Sequence, residues 1–195
     1  MHISEGVLRP EIIVPAAILT AAWTGWLVWR LESSQIPRVA AMSALFFCAS
    51  FIHVPLGATS VHLVLGGLVG AVLGARAFLA ILVGLALQAV FFGYGGLTSL
   101  GANAIIIGAP AVLAAFFTRG GRWQKARFLL AGFVPTLASS ALLSLTLALN
   151  GEEFFAVAGL AFAANIALMV IEGIICLFGL SFIWRVNKEL LPCEK

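Results

Sequence analysis

An all-α, polytopic membrane fold is predicted for this chain: about seven transmembrane helices, with the N-terminus outside and the C-terminus in the cytoplasm. The first observation behind it is composition, since 62% of the 195 residues are hydrophobic and only 10% are charged. A soluble domain of this size cannot bury that much apolar surface. The second is that basic residues follow every second apolar segment, as the positive-inside rule requires.

The apolar segments give the predicted spans, because a helix needs roughly 20 apolar residues to cross a bilayer. They are 11–30, 39–54, 60–75, 76–93, 101–118, 127–149 and 155–184. The third and fourth are separated only by Gly74, Ala75 and Arg76, so a tight hairpin or a broken helix joins them. Six spans are the alternative. No repeat or linker divides the chain, and one domain is predicted over 1–195.

The basic residues favour seven spans over six and set the orientation. If the N-terminus is outside, Arg9 is the only basic residue on that side. The cytoplasmic side then holds Arg30, Arg38, Arg76, Arg119, Arg122, Lys125, Arg127, Arg185, Lys188 and Lys195. This asymmetry is typical of a multi-pass protein of the cell membrane. The net charge of +3 is therefore explained by basic residues on the cytoplasmic side of the membrane. The expected partner is the lipid bilayer, and no nucleic acid is expected.

Polar side chains gather in three segments that this topology puts outside. They are the N-terminus, HVPLGATSVH (53–62) and GYGGLTSLGAN (93–103). Irregular backbone near a membrane is tolerated where it is buried in protein or lines a cavity. A buried site that opens to the outside is therefore predicted, with ordinary capped loops as the alternative.

The histidines suggest what such a site binds. All three, His2, His53 and His62, fall on the outer side, and imidazole suits Ni, Co, Cu and Zn. We expect Met1 to be retained, because its removal requires a small second residue. The amine of Met1 and the amide and ring nitrogens of His2 can then chelate one ion in a plane, which favours Ni(II) or Cu(II). One more imidazole, from His53 or His62, can fill the fourth position; packed histidines without a ligand are the alternative.

Other chemistry finds little support. The chain has no GxxxxGK[ST], so ATP hydrolysis by this chain alone is not expected, and it has neither HExxH nor GxSxG. The remaining rivals are a small intramembrane redox or hydrolytic enzyme that uses His53 and His62, and a helical scaffold without a ligand.

Four stretches together resemble one family. MHISEGVL at the start, VPLGATSVHLVLGG (54–67), GGLTSLGAN (95–103) and VIEGIICLF with RVNKELL (170–191) resemble the CbiM/NikM family. Its members are the substrate-specificity components of energy-coupling-factor transporters for cobalt and nickel. The resemblance runs over almost the whole chain and implies a non-enzymatic importer subunit whose substrate is Ni²⁺ or Co²⁺.

The resemblance also implies a ligand set and partners. The metal ligands carried over are Met1, His2 and His62. The implied partners are a transmembrane coupling subunit, two ABC-type ATPases and a small accessory membrane protein. Cobalt and nickel are not distinguished, because both accept nitrogen ligands.

Supporting residues follow from the same segments. A metal-binding histidine usually donates its second ring N–H to an oxygen, and the candidates around the site are His53, Thr59, Ser60, Thr98, Ser99 and Asn103. Ala40, Ala44 and Glu172 are candidates for coupling or for helix contact. The sequence departs from the family at Tyr94 and Asn165, where histidines are frequent, and His53 is an additional imidazole.

Overall fold

A computed structural model describes residues 2–56, 59–118 and 122–191, with only the backbone of 53–56 and 59–61. Met1 lies outside the described residues, and so do the side chains of His53, Thr59 and Ser60. Helices dominate: α1 Pro10–Trp29, α2 Ile36–Ala49, α3 Gly66–Leu73, α4 Ala77–Phe92, α5 Leu100–Ala111, α6 Gln124–Asn150 and α7 Phe155–Val186. A 3₁₀ stretch, Val112–Phe117, extends α5. The predicted helical membrane fold is confirmed.

Five described helical stretches are long and apolar enough to cross a membrane. They are Pro10–Trp29, Gly66–Phe92, Leu100–Phe117, Gln124–Asn150 and Glu152–Val186. Their outer faces expose large apolar side chains, among them Ile18, Leu149 and Phe178. Such faces are suited to lipid rather than water. The span count of seven and the orientation of the termini remain predictions.

The stretch Gly66–Phe92 contains the predicted junction of the third and fourth spans. α3 ends at Leu73, and Gly74 follows with a φ of +58°, a conformation in which the helix cannot continue. The junction is a tight hairpin, because both ends of the stretch lie at the same place: Tyr94, just after α4, stacks on His2, and His2 contacts His62, just before α3. α2, the predicted span 39–54, has only 14 residues, so it falls short of a full crossing by length alone.

α3 lies at the centre of the molecule. Seven of its eight residues are buried, and it contacts α4, α5, α6 and α7. Its glycines make this possible, because a Cβ at Gly70 would lie 1.7 Å from the carbonyl oxygen of Ala111. A Cβ at Gly67 would lie 2.3 Å from that of Ala131. These glycines therefore let the neighbouring backbones approach α3 closely.

A small antiparallel sheet was not predicted. β1 (His2–Ile3), β2 (His53–Leu56) and β3 (Thr59–His62) have the order β1-β3-β2, with β3 in the middle. The segments 39–54 and 60–75 were both predicted as helical spans, but the first turns into β2 and the second starts as β3. Strands this short carry no periodic signal, and here each is defined by its partner strand.

Candidate metal centre

The sheet brings the amino-terminal segment to the second histidine motif. His2 pairs with Ser60, and Ile3 with Thr59, so β1 runs antiparallel to β3. Residues two apart on a strand share a face. His2, opposite Ser60, is therefore the diagonal neighbour of His62 on one face. Deep burial of both side chains, with 2% and 1% exposure, places this pair inside the protein.

The two imidazoles touch through one nitrogen each. His2 Nδ1 lies 3.0 Å from His62 Nε2, and the ring centroids are 4.9 Å apart. The other nitrogen of His62, Nδ1, lies 3.0 Å from the carbonyl oxygen of Leu63. Because a carbonyl can only accept, His62 Nδ1 carries a proton. In the neutral ring, Nε2 then presents a lone pair towards His2.

This geometry matches two adjacent ligands of one metal ion. Nitrogen ligands bind at about 2.1 Å, and two of them at right angles are about 3 Å apart. An ion that displaced the shared proton could be bound by the lone pairs of both nitrogens. In His2, Nδ1 is also the ring nitrogen that can close a small chelate ring with the backbone amide of the same residue.

Two imidazoles are not a full coordination shell. Within the described residues, no three His, Cys, Asp or Glu side chains come together as a metal-binding group. Of the other predicted ligands, the backbone amide of His2 belongs to the same residue as the Nδ1 that contacts His62. Met1 is outside the described residues. The Cα of His53 pairs with that of His62 across β2 and β3, and its side chain lies outside the described part.

Asn103 and Ser99 hold the residue next to His2. The Asn103 side chain accepts from Ile3 N at 2.8 Å and donates to Ile3 O at 2.9 Å, as a neighbouring strand would. The Ser99 hydroxyl lies against the carbonyl oxygens of Ile3 and Gly95. Both side chains are 1% exposed. Two of the predicted supporting residues therefore fix the backbone that carries His2.

The loop before α5 covers the His2 ring. Tyr94 stacks on it with centroids 6.1 Å apart. Gly95 adopts a φ of +76°, and a Cβ there would lie 3.0 Å from Asn103 Nδ2 and 3.4 Å from His2 Cδ2. On the other side, Phe46 meets the His62 ring edge-on at 6.5 Å. The pair is thus enclosed by aromatic and backbone surfaces.

A second asparagine holds the rest of the amino-terminal segment. Asn150, the last residue of α6, accepts from Arg9 N and donates to Val7 O, both at 2.8 Å. Arg9 also forms an exposed ion pair with Glu153 at 3.5 Å, which contributes little. Sequence reasoning missed Asn150, because NGE after an apolar helix is typical of an ordinary helix end.

The remaining predicted residues lie apart from the imidazole pair. Thr98 is exposed, and no described contact joins it to the histidines. Ala40 and Ala44 are exposed on α2. Glu172 is fully buried in α7 and accepts hydrogen bonds from the backbone of Val64 and Leu65, just after His62.

Known proteins match this chain over nearly its whole length. The family model described as cobalt uptake substrate-specific transmembrane region, CbiM, matches residues 2–190. A putative metal transport protein of Haemophilus influenzae is 36% identical over 200 residues, covering 98% of this chain and 97% of that protein. The fused nickel transport protein NikMN of Rhodobacter capsulatus is 34% identical over 79% of this chain, which spans 47% of that protein. The crystal structure of a transition metal transporter superposes with a TM-score of 0.81 at 20% identity, over 96% of this chain and 94% of the other. At that identity the likeness shows the fold alone.

Proposed function

Because the chain belongs to the family of cobalt uptake substrate-specific transmembrane regions, CbiM, we propose that it is the substrate-binding subunit of an energy-coupling-factor importer. It is a multi-pass membrane protein. It captures Ni²⁺ or Co²⁺ on the outer side and delivers the ion inward. One domain, 1–195, carries this function, and no reaction is catalysed by the chain itself.

The observation that carries the proposal is the buried contact between His2 and His62. Their facing nitrogens are 3.0 Å apart, which is the spacing of two neighbouring nitrogen ligands. The proposed ligands are the amine of Met1, the amide nitrogen and Nδ1 of His2, and Nε2 of His62. This set is planar and all-nitrogen, which suits Ni(II) and is accessible to Co(II). His53 is not needed as a ligand.

The placement of charges supports the proposed orientation. In a bundle of alternating helices, Arg30, Arg76, Arg122 and Arg185 all follow or precede helix ends on one side. The sheet with His2 and His62 lies at the other ends. With the basic side in the cytoplasm, seven crossings place the imidazole pair near the outer surface.

The proposed partners are a transmembrane coupling subunit, two ABC-type ATPases and a small accessory membrane protein. ATP hydrolysis belongs to the ATPases. The exposure of Ala40 and Ala44 on α2 supports a docking face there, because small residues let another helix approach closely. Thr98 has no role in this proposal, whereas Ser99 and Asn103 orient the His2 backbone.

Adding one Gly ahead of Met1 tests the ligand set directly. The insertion moves the amine by one residue and changes none of the side chains that the structure describes. We expect binding of Ni²⁺ and Co²⁺ to the purified, detergent-solubilised protein to be lost, as measured by calorimetric titration. Mass spectrometry of the unmodified protein must show Met1 with a free amine. Undiminished binding after the insertion contradicts the proposal.

Two histidine variants form a matched pair for the fourth ligand. His62→Ala removes a ring nitrogen at 3.0 Å from His2 and should abolish tight binding, whereas His53→Ala should have little effect. A reversed result would assign the fourth position to His53. Competition between Ni²⁺ and Co²⁺ in the same titration then identifies the preferred ion.

A further inference from the structure

Among the described residues, Glu172 is the most deeply buried acidic side chain. It is not part of the proposed ligand set. It lies in the middle of α7 with no exposed surface. A carboxyl group at membrane depth is costly and is retained only where it has a partner or a function. Its hydrogen bonds lead towards the metal centre.

One oxygen of Glu172 accepts two backbone hydrogen bonds. The N–H groups of Val64 and Leu65 both donate to Oε1 at 2.7 Å, at the short end of the range for N–H···O hydrogen bonds. Both groups directly precede α3, where the helix N-terminus favours negative charge. Leu65 is left-handed, with a φ of +52°, so the segment between β3 and α3 is held in an unfavourable conformation.

The same peptide group that Glu172 holds also receives the hydrogen bond of His62. The carbonyl of Leu63 and the N–H of Val64 belong to one peptide unit. The carbonyl accepts from His62 Nδ1 at 3.0 Å, while the N–H donates to Glu172 Oε1 at 2.7 Å. A continuous path therefore runs from Glu172 through this peptide group to His62, and from His62 Nε2 to His2 Nδ1.

We propose that Glu172 is a positioning residue for the metal centre, acting on His62 through the Leu63–Val64 peptide. This inference rests on the proposed function. A carboxylate bonded to the N–H of a peptide polarises its carbonyl, so the oxygen of Leu63 becomes a stronger acceptor. His62 then keeps its proton on Nδ1, and the lone pair of Nε2 stays directed at the ion. Many metal-bound histidines receive this help from a carboxylate directly; here one peptide group stands between them.

Three variants of α7 test the path. Glu172→Leu removes the oxygen that accepts both hydrogen bonds, and loss of such a partner lowers metal affinity about 10- to 100-fold. Glu172→Gln keeps an amide oxygen for the same two N–H groups, so the loss should be smaller than about tenfold, with an unchanged Ni²⁺ absorption spectrum. Asn165→Leu is the control, because Asn165 is equally buried on the same helix and its amide has no hydrogen-bond partner in the described part of the chain. Its affinity should stay within about threefold of the unmodified protein.

A double-variant comparison separates positioning from general stability. In the His62→Ala background, the donors of Met1 and His2 leave a residual affinity. Adding Glu172→Leu there should change it by less than about threefold, since coupled residues act through each other. The Ni²⁺ spectrum of Glu172→Leu should shift towards that of His62→Ala.

The outcomes distinguish this inference from the function on which it rests. If the unmodified protein binds neither ion, the proposed function fails. If it binds them and Glu172→Leu binds equally well, or lowers affinity by the same factor without His62, only the role of Glu172 is overturned. If Glu172→Leu does not fold, Glu172→Gln decides: weaker binding with an unchanged spectrum supports the role. Unchanged affinity, or a loss as complete as that of His62→Ala, overturns it.

Discussion

At the scale of single residues, the imidazole pair depends on backbone positions as much as on side chains. His62 receives its tautomer from the Leu63 carbonyl. His2 is placed by the bonds of Asn103 to Ile3. Both histidines are therefore oriented before an ion arrives. Preorganisation of this kind lowers the entropy cost of binding.

Replacement of Gly95 should disturb the His2 ring and Asn103 directly, with little effect elsewhere. The Gly95 φ of +76° is matched by +67° at Gly93, so alanine suffers similar backbone strain at either position. At Gly93 a Cβ meets nothing within 4 Å, whereas at Gly95 it would press on Asn103 and the His2 ring. We expect Gly95→Ala to weaken Ni²⁺ binding about tenfold or more.

Gly93→Ala is the matched control for this prediction. Calorimetric titration should show near-normal Ni²⁺ affinity for Gly93→Ala. Without the ion, the thermal unfolding temperatures of Gly93→Ala and Gly95→Ala should be lowered to a similar extent. Equal losses of affinity in both variants would contradict a specific role for the space at Gly95.

At the scale of elements, the segment from His2 to Arg9 behaves as a strap with two attachments. Asn103 holds it at Ile3, and Asn150 holds it at Val7 and Arg9. In each case one amide side chain serves both a backbone N–H and a backbone C=O. Short segments of this kind have few contacts of their own, so these bonds and the pairing of β1 with β3 together determine where His2 lies.

Replacing either asparagine by leucine should weaken metal binding without removing a ligand. Asn103→Leu leaves the buried N–H of Ile3 unpaired and its carbonyl with only the Ser99 hydroxyl, at a cost of about 1–3 kcal/mol, equivalent to a roughly 5- to 150-fold loss of affinity. Asn150→Leu should cost less, because its bonds are only partly buried. Asn165→Leu again serves as the control. A larger effect at Asn150 than at Asn103, measured by the same titration, would contradict this order.

The elements also show what the sequence could predict. Apolar length predicted where most helices lie, and the short junction at Gly74, Ala75 and Arg76 predicted the interruption between α3 and α4. The sheet escaped prediction, because β1 has two residues and gains its structure only from β3. Asn150 escaped prediction, and Glu172 was predicted only for coupling or helix contact, since their hydrogen-bond partners lie 141 and 108 residues away in sequence. Local patterns do not encode such distances.

At the scale of the whole molecule, the proposed topology puts the imidazole pair at one end of the bundle and the described basic residues other than Arg9 at the opposite end. A cation enters more readily at the end that lacks positive charge. Arg9 is the one described basic residue near the proposed outer end, and its charge is shared with Glu153. The predicted site residues His2 and His62 lie together, and their role as ligands remains a prediction.

The orientation itself can be tested by chemical labelling of two exposed positions. Glu153 precedes α7 and Arg122 precedes α6, so the predicted topology puts them on opposite sides of the membrane. In a variant without native cysteines, Glu153→Cys should react with a membrane-impermeant maleimide in intact cells. Arg122→Cys should react only after the cells are permeabilised. Neither change should disturb the fold, because both side chains are exposed and the ion pair of Glu153 contributes little. Each variant should therefore still bind Ni²⁺ when purified. Labelling of both positions from the same side would require an even number of crossings between them. The reverse pattern would place His2 and His62 at the cytoplasmic face, where an importer has no use for a capture site.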